Sequence, residues 1–137
     1  MSAAVGESAT EFIERKSAEW QQDRERGKQV KTDQGQGSVE WWLREAWTFL
    51  PQSNYPGKVL VLERWQHLGL EGPRVHDGAA MPGDFEYRFG YSAIARSGPA
   101  EGRWQWQRFS MLIPADDLTR LLTKAYKDGT LKELPGA

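Results

Sequence analysis

Three groups of residues have the types that chemistry needs. His67, His76 and Asp77 combine both histidines of the chain with a carboxylate, a set able to ligate a metal or act as a general base. A metal site needs three or four convergent ligands. Two histidines nine positions apart, with no cysteine and no His-x-x-x-His spacing, do not supply them, so all three read as loop residues and no metal or cofactor is expected. Asp116 and Asp117 could imitate a catalytic carboxylate pair, but neighbours on a helix point about 100 degrees apart, and capping explains them better. No phosphate-binding glycine loop and no Gly-x-Ser-x-Gly elbow occurs.

The third group is aromatic. The chain holds seven tryptophans, and Trp104, Trp106 and Arg108 fall at alternate positions, on one face of a strand. Such a face stacks bases or sugar rings, with Arg108 on a phosphate or a ring and Arg88 and Arg103 as companion cations. The same rings would equally fill a core or a subunit interface.

The elements that position these residues begin at Asp84. Phe85, Tyr87, Phe89 and Tyr91 alternate with Glu86, Arg88 and Ser92, which predicts a strand with an aromatic packed side and a polar wet side. Ser97 to Arg103 is a loop, and Trp104 to Ile113 reads as the returning strand of an antiparallel hairpin, with Gln105, Gln107 and Phe109 opposite the tryptophans. Pro114 opens an amphipathic helix. Leu118, Leu121, Leu122, Ala125 and Tyr126 form its stripe, Asp116 and Asp117 suit its first turn, Lys124 and Lys127 its last, and Gly129 its end.

Upstream the signals are weaker. Residues 10–26 fit a helix whose apolar contacts are Phe12, Ile13 and Trp20, and Gly27 to Gly37 reads as a polar linker. Residues 1–37 are therefore expected to be a mobile arm, dispensable for a single globular domain over 38–134. Ser38 to Leu50 fits both a helical stripe and strand alternation. Glu45 interrupts only the strand pattern, which favours helix. Lys58 to Gln66 is β-rich and buried on both faces in its first half, and His67 to Gly83 is a long loop.

Together these predict an α+β fold, an antiparallel sheet of three or more strands with the C-terminal helix packed on one face. Basic and acidic side chains balance, both overall, at a net charge of −1, and from Ser38 onward, so tight nonspecific phosphate binding is not expected. The absence of cysteine fits a reducing compartment. No secretory leader or membrane span is recognisable, and the expected location is the cytoplasm.

The order of elements resembles the single-stranded-DNA-binding fold of the transcriptional positive cofactor four and Whirly families. Gly57-Lys58-Val59-Leu60-Val61-Leu62-Glu63-Arg64-Trp65 is similar to one strand of that fold. Gly102-Arg103-Trp104, running through Ser110-Met111-Leu112-Ile113-Pro114, is similar to its last strand and helix, and the likeness covers residues 57–128. The resemblance implies a curved antiparallel sheet followed by a helix that packs on it or on a second subunit, and binding of single-stranded nucleic acid. The mixed charge around Arg88, Arg96, Arg103 and Arg108 departs from the basic surface of those families. The expected function is noncatalytic binding, of single-stranded nucleic acid through Trp104, Trp106, Arg108, Arg88 and Arg103. The alternative is a protein-interaction module forming a homodimer through aromatic surfaces, with an enzyme using the His67 to Gly83 loop third.

Overall fold

A computed structural model describes residues 5–74, 76–108 and 110–133. In chain order the elements are α1 (Ala9–Glu25), β1 (Gln29–Gly35), β2 (Ser38–Pro51), β3 (Lys58–Glu71), β4 (Phe85–Ile94), β5 (Trp104–Trp106) and α2 (Ala115–Lys127). The strands form one five-stranded sheet in the order β1-β2-β3-β4-β5, every neighbouring pair antiparallel. The fold is α+β, with the C-terminal helix on one face as the sequence predicts.

β3 is the centre of the sheet. From Val59 to Trp65 every residue is buried, because both faces of the strand are covered. On one face Leu60 and Leu62 meet Leu50 and the α2 residues Leu121 and Ala125, with Leu131 beyond the helix. On the other, Val59 and Val61 meet Phe49, Trp104 and Phe12 of α1. Alternation along β3 thus feeds two separate cores.

α2 ends as its sequence requires. Gly129 has φ +80°, and the Thr130 N–H reaches the Ala125 carbonyl at 2.9 Å while the Gly129 N–H reaches Tyr126 at 3.1 Å, so the terminal carbonyls are paired. Its buried face is narrower than its apolar stripe: Leu121 and Ala125 are fully buried, but Leu118 and Tyr126 are exposed.

Residues 5–37 are not a peripheral arm. α1 forms close to where residues 10–26 predict it, started by a reciprocal capping box between Ser8 and Glu11. Its apolar contacts are few but large. Phe12 is 2% exposed and stacks on Trp104 at 4.7 Å, and Trp20 stacks on Phe49 at 5.1 Å. The expected linker contains β1, which pairs with β2 from Gln29 to Gly35. Gln36 and Gly37 have φ of 54° and 79°, the left-handed pair that joins two strands in a tight hairpin. The glycines read as a linker make a turn.

Ser38 to Leu50 is a strand, not a helix. Its alternation is broken by a register shift between Arg44 and Ala46, where Glu45 is the extra residue. The bulge reverses the sidedness, so Trp47 and Phe49 face α1 while Leu43 and Trp41 belong to the opposite parity. A helical stripe and a bulged strand share the same residue spacing here, and twelve partners on β3 decide for the strand. β3 also outruns its prediction, continuing to Glu71, which places His67 inside the sheet. The returning strand is shorter than expected, only Trp104–Trp106. Phe109, and residues 1–4 and 134 at the ends of the expected arm and domain, lie outside the described residues.

Candidate functional site

On the α1 face of the sheet, strand register lines up Arg44, Trp65 and Glu86 across β2, β3 and β4, and Trp47, Glu63 and Arg88 in the row beside them. Glu63 is fully buried. One carboxylate oxygen accepts from Arg44 Nε at 2.7 Å and from Trp65 Nε1 at 3.1 Å, and the other from Arg88 Nε at 2.7 Å. The guanidinium of Arg88 lies between Trp65 and Trp106, 4.3 and 4.6 Å from their ring centres, and that of Arg44 lies 4.1 Å from Trp20. Rings and cations therefore alternate from α1 to β5, tied at the middle by one carboxylate.

This arrangement decides the fate of the predicted platform. Trp104 is 3% exposed, covered by Phe12, with its indole N–H on the Glu7 carbonyl at 2.8 Å, so it is core. Trp106 is 40% exposed, but its ring lies on Gly90, where an added Cβ would stand 1.9 Å from the indole. Arg88 is engaged by Glu63. Arg108 is exposed beyond the end of β5, and Arg103 sits in the preceding loop with Nη1 on the Pro99 carbonyl at 3.3 Å. Of the five predicted residues, only Arg88 and Trp106 come together.

Beside the Trp65 end of this array is a cavity of about 440 Å³. Trp42 and Trp65 form its aromatic walls, Thr32, Glu40 and Glu86 its polar ones, and the segment His76 to Ala80 closes one side. The indole N–H of Trp42 is given to Thr32 Oγ1 at 3.0 Å, so both cavity tryptophans have spent their donors. Glu40 is 6% exposed, and Nε2 of His67 lies 3.8 Å from its carboxylate. His67, expected as a loop residue, is buried under Trp42, and neither ring nitrogen has a partner. Among the described residues no three His, Cys, Asp or Glu side chains converge as metal ligands would.

The other face of β4 differs. Phe85, Tyr87 and Phe89, expected on a packed side, are 44%, 39% and 45% exposed, because α2 lies mainly over β2 and β3 and leaves the first part of β4 uncovered. Only Tyr91 of the four joins the core, beside Leu122, Met111 and Ile113. The Tyr87 hydroxyl accepts the Lys132 N–H at 3.1 Å, and Lys58 Nζ lies 4.5 Å from the Tyr91 ring centre. Glu63 and Glu86 point to the opposite face.

Sequence reasoning missed Glu40, Trp42, Arg44, Glu63 and Trp65. One signal was present: a glutamate directly after the apolar run Val59 to Leu62 cannot be buried unpaired, so it needed a cation or hydrogen-bond donors aimed at it. Comparison with protein-family models, with curated proteins and with solved structures gives no match. Among the described residues no helix is long and apolar enough to cross a membrane.

Proposed function

We propose that the chain is a noncatalytic binding module acting in the cytoplasm, whose ligand face is the row Phe85, Tyr87 and Phe89 and whose ligand is single-stranded nucleic acid. The observation that carries this reading is the row itself, three rings about 40% exposed at alternate positions on a sheet face. Each base has a flat face, and a ring on a rigid strand offers it a partner with little loss of side-chain entropy. The resemblance of residues 57–128 to the positive cofactor four and Whirly families, read from the sequence, implies the same ligand, here taken by rings of β4 and not of β5. Because net charge is −1, stacking rather than phosphate neutralisation supplies the affinity.

The test is the fluorescence anisotropy of a labelled thymidine oligonucleotide. The parent should bind with a weak salt dependence, and Phe89→Ala should weaken binding by about 1 to 3 kcal/mol with the fold retained. No binding at low salt, or binding unaffected by Phe85→Ala and Phe89→Ala, would overturn the reading. A second reading, homodimerisation through this face, is favoured by Leu118 and Tyr126, 38% and 49% exposed on the helix stripe that includes Leu122. Light scattering separates the two: a dimer that Phe89→Ala converts to monomer supports assembly.

A further inference from the structure

The cavity on the opposite face supports an inference independent of nucleic-acid binding. We infer that it is a site for a small organic cation with a flat body, held by Glu40 against the walls that Trp42 and Trp65 form. Glu40 is fixed by β2, its backbone paired with Thr32 on one side and Leu70 on the other, and its carboxylate lines the cavity. Among the described residues it has no donor within hydrogen-bond distance; His67 Nε2 at 3.8 Å is too far. Glu40 is 6% exposed as a residue and its carboxylate opens onto the cavity with no donor among the described residues, so a ligand that brings N–H groups and positive charge supplies what the protein does not.

The walls select the same chemistry. Trp42 and Trp65, ring centres 6.1 Å apart and tilted by 54°, have no donor left to offer, and their π faces attract cations. Glu86 adds a second carboxylate at the exposed rim. Arg88 also reaches the cavity, with its Nε on Glu63 and its guanidinium 4.3 Å from the Trp65 ring centre, so it walls one end and shares the Glu63 charge with Arg44. An anion would meet Glu40 and Glu86, and a neutral donor would reach Glu40 without balancing its charge. A volume of about 440 Å³ admits a molecule of one or two rings and excludes a polymer.

Three probes of one shape and different charge test this: benzamidine, benzamide and benzoate, titrated by calorimetry into the full chain. Benzamidine should bind at least tenfold more tightly than benzamide, and benzoate should not bind. Glu40→Gln should abolish that preference, Glu86→Gln should reduce it only modestly, and neither should change oligonucleotide binding. Ala79→Trp, placed on the segment that closes the cavity, should block benzamidine without disturbing the sheet, and it decides the matter if Glu40→Gln fails to fold. Absence of benzamidine binding at millimolar concentration overturns the inference. So does equal affinity for benzamide, or benzamidine binding that survives both Glu40→Gln and Ala79→Trp.

Discussion

Glu63 shows how much one side chain organises here. A buried carboxylate costs several kcal/mol to desolvate, and it is tolerable only because Arg44, Arg88 and the Trp65 indole all donate to it. Glu63→Gln removes the charge that both arginines share. It should destabilise by about 3 to 5 kcal/mol and loosen Trp106, measurable as a red shift of tryptophan emission. Denaturant midpoints equal to the parent's would show that the pairing is ornamental. Asp117 contributes differently, as the acidic residue of the first turn of α2 that reaches across to the end of β2. Its carboxyl is held below the usual aspartate range, chiefly by the Ser53 backbone N–H at 2.8 Å, with Arg120 at 2.9 Å adding to it. A group whose folded pKa is depressed stabilises the fold above its unfolded value, about 3.9, and that contribution is lost as pH falls through the folded pKa. The difference in melting temperature between the parent and Asp117→Asn should therefore be largest near neutrality and shrink below about pH 4. A constant difference across that range would refute the role of the ionised carboxyl.

Among the elements, α1 departs most from its sequence signal. Three apolar residues in a charged helix look like a loose association, yet Phe12 and Trp20 each stack on an aromatic ring of the sheet. Large rings bury more area per residue than a longer stripe of alanines would. Phe12→Ala should cost about 3 to 5 kcal/mol. Deletion of residues 5–26 should expose Trp104, Phe49 and Val61 and cause loss of cooperative unfolding. A truncated protein that melts like the full chain would restore the mobile-arm reading. β2 carries the opposite lesson, since a single bulge at Glu45 made a good strand look like a helix.

At the scale of the molecule, the sheet has two cores with β3 common to both. They should unfold as one unit, because neither face of β3 can lose its cover without exposing the strand's backbone neighbours. Leu121→Ala on the α2 face should cost about 2 to 5 kcal/mol, and combined with Phe12→Ala the losses should add within about 0.5 kcal/mol, the two residues belonging to separate clusters. Two resolved transitions in calorimetry would show that the faces melt separately.

What the sequence by itself determined is local and periodic. The α2 helix with its acidic start and glycine end, the alternation of β4 and the apolar run of β3 are each written in consecutive residues, because capping and side-chain period act over a few positions. The likelihood of an antiparallel sheet with a helix on one face followed from their order. What only the tertiary structure decided was coverage. Alternation placed Phe85, Tyr87 and Phe89 on one side of β4 and Arg88 on the other, but which side would be wet depended on where α2 came to lie, and it lies over β2 and β3. Trp104 carried the same strand signal as Trp106; α1, nearly a hundred residues earlier, buried the first and left the second on Gly90. The meeting of Glu63 with Arg44 and Arg88, and of Glu40 with Trp42 and Trp65, joins residues of three strands whose register is fixed by bulges and turns. Burial and pairing across such distances are properties of the packed sheet, and no window of neighbouring residues contains them.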